Sequence, residues 1–316
     1  SSSGFPVVAD IEIFAEQCVT GSLDSSMLHY SIDGGSSWEV ETLDIRTDLV
    51  EGFIPPVMAG TEVLYYISME DSDGNEMLMP SGAEINPYSF YVGELEEIYC
   101  TDFEADDGGF THSLISGEEI EGADDWQWGT PAGLGGDPSV AASGSNIWGN
   151  DLGGGEYNGE YQNERHNQLL SANYDISDYE TVVLSYDRWL TVEDGEYDQA
   201  IIMANESEVW SNHSSSGGDD HHRDEQWQNH SLAISTNGNS YMQFAWEISS
   251  DQGLTMGGWN IDNFCLYGVV IPDEEDANLD GEEGGLKANC SAVSSSEYWL
   301  WSLGLGVMFL GQRRRR

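Results

Sequence analysis

Basic side chains are nearly missing from this 316-residue chain, which sets nine Lys and Arg against 58 Asp and Glu for a formal net charge of -49. Four of the nine are Arg313 to Arg316, so the rest of the chain carries five basic groups, and Lys287 is its one lysine. A body this anionic repels nucleic acid and anionic lipid, which excludes both as its partners. The carboxylate excess suits a surface in salty water or one that holds divalent cations, because ions screen the self-repulsion. Disorder, the other outcome of high charge, requires little apolar content. Here 39% of residues are hydrophobic and 11% aromatic, which argues for folded domains, about two at this length.

Catalytic signatures are also absent. The chain has no His-Glu-x-x-His, no Gly-x-Ser-x-Gly and no glycine-rich loop ending in Gly-Lys-Ser/Thr, so no zinc-protease, nucleophile-elbow or phosphate-loop chemistry is legible. A dispersed carboxylate pair stays open, since 58 acids offer many pairs and spacing does not choose among them. The opening "SSSGFPVVAD" has no Met, no basic n-region and no apolar h-region. It raises the expectation of a missing upstream part that includes a signal peptide and a catalytic domain.

No stretch keeps a helical period, and the expected fold class is all-β. Residues 1–95 read as a small β-sandwich of immunoglobulin or fibronectin III type. "MLHYSIDGGSSWEVETL" places two strand patterns around Asp33-Gly34-Gly35, a tight-hairpin signal. In "EVLYYISMEDSDGNEMLMP", Val63, Tyr65, Ile67 and Met69 alternate onto one face before a turn at Asp73-Gly74. Residues 96–268 form a longer β unit, in which Met242, Phe244, Trp246 and Ile248 alternate as one buried face. Residues 269–297, acidic and then Ser-rich without periodicity, read as a disordered tether.

Residues 298–316 end the chain with an apolar run from Tyr298 to Leu310, then Arg313, Arg314, Arg315 and Arg316. The run is shorter than the roughly 20 residues usual for a membrane span. Trp299 and Trp301 at one edge and the arginines at the other nonetheless match a membrane anchor with its basic end inside. One transmembrane helix is therefore expected here, with the preceding domains presented outside.

Specific motifs carry a resemblance. "CTDFEADDGGFTHS", "DDWQWGTPAG", "AASGSNIWGNDLGGGEYN", "LSYDRWLTVEDGEYDQAIIMAN" and "GGWNIDNFCLYG" occur in an order that resembles the MAM-like jelly roll of immune inhibitor A-like secreted bacterial metallopeptidases. Cys290 in "NCSAVSSSE", with the apolar run and the arginines, is similar to myxobacterial-type sorting tails, although it lacks their Cys-Gly-Cys cluster. The resemblance implies a jelly roll that accompanies catalysis without performing it, in a protein exported to the cell envelope or released after tail processing. It also implies a protein substrate or surface polysaccharide as partner, a membrane contact through the tail, and a sorting protease acting near Cys290. A surface adhesion protein is the alternative.

The resemblance further implies calcium between an acid of the first jelly-roll strand and one near the last, here Glu104 and Asp262, with Asp106 and Asp107 as added ligands. "DANLDGEE" begins like an EF-hand loop, but Lys287 stands where a bidentate Glu is needed. His213, His221, His222 and His230 fall in a polar Ser-Gly-Asp segment that reads as a solvated loop rather than a zinc site. Four cysteines allow three pairings. Cys100 and Cys265 bracket the jelly roll and are the expected disulfide, leaving Cys18 buried and free or otherwise paired. Of the tryptophans, Trp210 and Trp227 flank the polar segment and are the candidates for stacking on a ligand.

Overall fold

The computed structural model describes residues 5–10, 23–46, 49–58, 60–80, 83–85, 87–154 and 158–270. Cys18, Cys290, Arg313 to Arg316, the expected membrane helix and the expected tether beyond Val270 lie outside the described residues, while Val269 and Val270 continue the last strand. Among the described residues no helix is long and apolar enough to cross a membrane. The described residues are essentially all-β, with one 3-10 turn among them at Ala83–Ile85.

Two cores form. The first lies under a five-stranded sheet in which Leu23–Ser31 pairs with Glu39–Thr42 and with Thr61–Asp71, and the latter also pairs with Glu76–Met79 and Tyr88–Val92. The hairpin forms at Asp33-Gly34-Gly35 as expected, and both glycines take the positive φ that a side chain would strain. Val63, Tyr65, Ile67 and Met69 all point inward, against Leu28, Leu43, Val50 and Ile54. Leu49–Ile54 belongs to a second, three-stranded sheet with Phe5–Asp10 and Asp44–Ile45.

The second core is enclosed by two sheets. One has the order Thr111–Gly117, Arg165–Leu170, Phe244–Ser249, Gln199–Ala204, Ser207–Ser211. The other centres on Gly258–Val270 paired with Thr181–Val192. Trp126–Gly129, Ile147–Asn150 and Glu94–Thr101 extend it on the first side, and His222–Arg223 and Gln228–Ser235 on the second. Phe244, Trp246, Ile248 and Ile202 meet Tyr186, Leu190, Phe264 and Leu266 across the gap, all nearly sealed from water. Cys100 stands directly opposite Cys265 in the register, and the two form a disulfide. The cores touch: Ser89 Oγ donates to Ser231 O, and Ala233 N donates to Glu62 Oε1 over 3.3 Å.

The polar histidine segment differs from expectation. His230 sits in a strand, is 9% exposed, and bonds Tyr186 Oη at 2.9 Å. His222 meets Asp224 at 3.1 Å, and His213 lies 3.9 Å from Asp220. The segment folds back because Asp224 pairs with the buried Arg188 at 2.9 Å, an ion pair whose partners lie 36 residues apart in sequence and share no local pattern.

Candidate functional site

One end of the sandwich collects its polar chemistry. The connections 193–198, 212–221 and 250–257 and the stretches 151–154 and 158–164 all leave the sheets there, and the 130–146 connection runs back along them. Rigid strands thereby hold polar loops, the usual arrangement for a binding site. Close backbone approach fixes the loops: a Cβ on Gly135 would fall 1.8 Å from Gly159 O, so only glycine fits.

Buried acids and amides cross-link this end. Asp125 accepts from Asn150 Nδ2 at 2.9 Å, Asn167 Nδ2 at 2.8 Å and Gln162 N at 3.1 Å. Burial pushes it up to about 6 despite those bonds. Asp194 accepts from Glu196 N, Ser215 N, Ser215 Oγ and Asp220 N, tying the 212–221 loop to the strand end. Burial opposes its ionisation, but these donors hold it down to about 2. Asp137 accepts Asn260 Nδ2 at 2.6 Å, and burial pushes it up to about 9, so it is protonated at neutral pH. Asp137 Oδ2 and Asn260 Oδ1 both lack a partner, and one proton on Oδ2 can satisfy both.

The four acids expected to hold calcium are placed as follows. Glu104 Oε1 accepts Ser145 N at 2.7 Å and Asn146 N at 2.6 Å. Asp262 Oδ2 accepts Ser143 N at 2.9 Å, and its Oδ1 accepts Asn263 N at 2.7 Å. The fold thus brings Glu104 and Asp262 to one short loop. Asp106 and Asp107 cap their own turns at Gly108 N and Gly109 N, each at 2.9 Å. None of the four leaves a buried oxygen without a partner. Glu104 and Asp262 thus strap the 143–146 loop, while Asp106 and Asp107 hold their own turn.

Trp210 and Trp227 are both half-buried. Trp210 packs edge-on against Trp259 at 5.5 Å and lies under the Arg188 guanidinium at 5.4 Å. Trp227 packs on Trp189 at 6.1 Å and donates its Nε1–H to Val140 O. Both rings have packing partners and keep part of their surface in solvent, and Trp210 also lines an open cavity with His230 and Leu232.

Another acidic group converges without any sequence warning. Glu193 ends the Thr181–Val192 strand, Asp198 precedes Gln199–Ala204, and Asp251 follows Phe244–Ser249. One carboxylate oxygen of each lies within 4.8 Å of the other two. The register of Gln199 with Ser249 sets Asp198 beside Asp251, and Glu193 reaches them from the end of a strand of the other sheet.

The chain matches no protein-family model. Bacillopeptidase F of Bacillus subtilis (strain 168) is 24% identical over 249 residues, covering 78% of this chain and 16% of that protein. The chain therefore spans about a sixth of the curated relative it matches. Among solved structures, a carbohydrate-binding module described as promiscuous and of the β-sandwich superfamily aligns with 82% of this chain and 97% of its own at 13% identity and TM-score 0.30. The K1 cleaved adhesin domain of Lys-gingipain from Porphyromonas gingivalis W83 aligns with 53% of this chain and 96% of its own at 14% identity and TM-score 0.33.

Proposed function

We propose that the chain is a non-catalytic accessory region of an exported peptidase. The observation that carries this reading is the 24% identity over 249 residues to a peptidase of which those residues make up only 16%. The missing catalytic motifs agree with it, and the Cys100–Cys265 disulfide suits an oxidising compartment. In finer detail, residues 1–95 are an immunoglobulin-like module, residues 96–268 a MAM-like jelly roll, residues 269–297 a tether and residues 298–316 an anchoring and sorting tail. The jelly roll holds a protein substrate or a surface polysaccharide.

Binding and turnover by the purified full chain test the proposal. The expected result is no release of peptides from casein, together with saturable retention on either denatured protein or bacterial surface polysaccharide. Peptide release by the chain alone would remove the non-catalytic reading. Retention on neither ligand, with the fold intact by circular dichroism, would remove the binding role.

A further inference from the structure

The convergence of Glu193, Asp198 and Asp251 leaves an electrostatic problem that the protein itself does not solve. Asp198 is fully buried, its Oδ1 accepting Asp251 N at 2.7 Å and its Oδ2 accepting Tyr161 Oη at 2.6 Å. Asp251 is exposed, and its Oδ1 accepts Gly253 N. Glu193 is 9% exposed, and its Oε2 is sealed from solvent without a hydrogen-bond partner. That oxygen faces the same space as Asp251: a Cβ built on Gly253 would lie 3.3 Å from Glu193 Oε2 and 2.8 Å from Asp251 Oδ1. Among the described residues, no ion pair involves any of the three. Burial and then repulsion from Asp198 and Asp251 raise Glu193, offset in part by the His221 imidazole and the Leu254 backbone, and burial raises Asp198 against its hydrogen bonds from Tyr161 and Asp251 N. An orphaned buried oxygen beside Asp251, in a group of three converging carboxylates, is the condition a bound cation removes.

We propose that Glu193, Asp198 and Asp251 bind one divalent cation of calcium's class, with the Tyr161 hydroxyl positioning Asp198. The donors are all oxygen, which favours a hard cation. Oxygens that share one calcium at about 2.4 Å lie at most about 4.8 Å apart, and the three carboxylates each offer an oxygen within that limit. Magnesium would need a tighter, near-octahedral shell. The cation bridges the two sheets, because Glu193 extends a strand of one while Asp198 and Asp251 flank paired strands of the other. It locks the polar end of the sandwich, and the site does not depend on the accessory reading above.

The test is thermal melting and calorimetric titration of the full chain after EDTA treatment, with calcium chloride as the probe. At about 10 mM calcium, an affinity typical of extracellular modules predicts a rise in midpoint of about 5 °C. Asp251→Asn, at an exposed position, and Glu193→Gln should each weaken binding at least tenfold and abolish the shift. In EDTA, Glu193→Gln should melt no lower than the parent chain, since it removes a like charge, and this separates lost binding from lost folding. Glu104→Gln should keep the shift. The proposal is overturned if the parent chain shows no shift, if both site variants retain it, or if Glu104→Gln is the change that removes it.

Discussion

At the residue scale, the interior is governed by ionisable groups held in unusual states. Asp137 has a folded value near 9 against 3.8 for the free side chain. A raised folded value means that its stabilisation is complete below 3.8 and is lost as pH rises through 9. Asp137→Asn keeps a neutral, hydrogen-bonding side chain there. The variant should melt close to the parent at pH 7, and its midpoint should fall less than the parent's between pH 8 and 10. A parallel fall in both would show that Asp137 does not carry the proton. Arg188 and Asp224 are the opposite case, a buried ionised pair: against the penalty of burial, Arg188 and His222 hold Asp224 well below the usual carboxylate range. Asp224→Asn strands the guanidinium and should cost about 3 to 5 kcal/mol in urea unfolding, with Arg188→Met added to Asp224→Leu recovering part of the loss. None of these states was legible in advance, because Asp137 pairs with Asn260 and Arg188 with Asp224 only after the sheets have formed.

At the scale of strands, periodicity carried the reading well. Met242, Phe244, Trp246 and Ile248 are each at most 2% exposed, as their alternation implies. The hairpin turn at Gly34-Gly35 also formed where its residues asked for it. Periodicity was silent where a loop's fate depends on a distant partner: the histidine segment folds back to bury His230, and Glu104 of "DFEADD" reaches the backbone of Ser145 and Asn146. The disulfide belongs to this scale too, since Cys100 and Cys265 face each other across two paired strands. Its 165-residue separation gives a chain-entropy contribution of about 4 to 5 kcal/mol. Cys100→Ser with Cys265→Ser should lower the urea unfolding free energy by up to that amount, and an unchanged value would mean that strand pairing alone closes the loop.

At the scale of the whole molecule, acidity sets the stability profile. Burial raises Asp125 and Asp262 to about 6, while hydrogen bonds that outweigh burial lower Asp194 to about 2. The raised pair is most stabilising below 3.8 and loses its contribution as pH climbs through 6; the lowered group contributes above 3.8 and loses it as pH falls through 2. Melting midpoints in EDTA should therefore rise from pH 7 toward about 5 and fall again below about 3, and a flat profile would contradict these assignments. At this scale the sequence offered ordered motif similarity and no catalytic signature, and neither depends on how the sheets pair. The central claim, that these sheets serve a peptidase outside the cell, is tested most directly by immunoblotting the native product with an antibody to residues 99–270, beside a casein zymogram of the same fractions. The account predicts an extracellular or surface band larger than 34.8 kDa that coincides with a zone of casein clearing. A band confined to the cytosol, or one that never coincides with clearing, would contradict it.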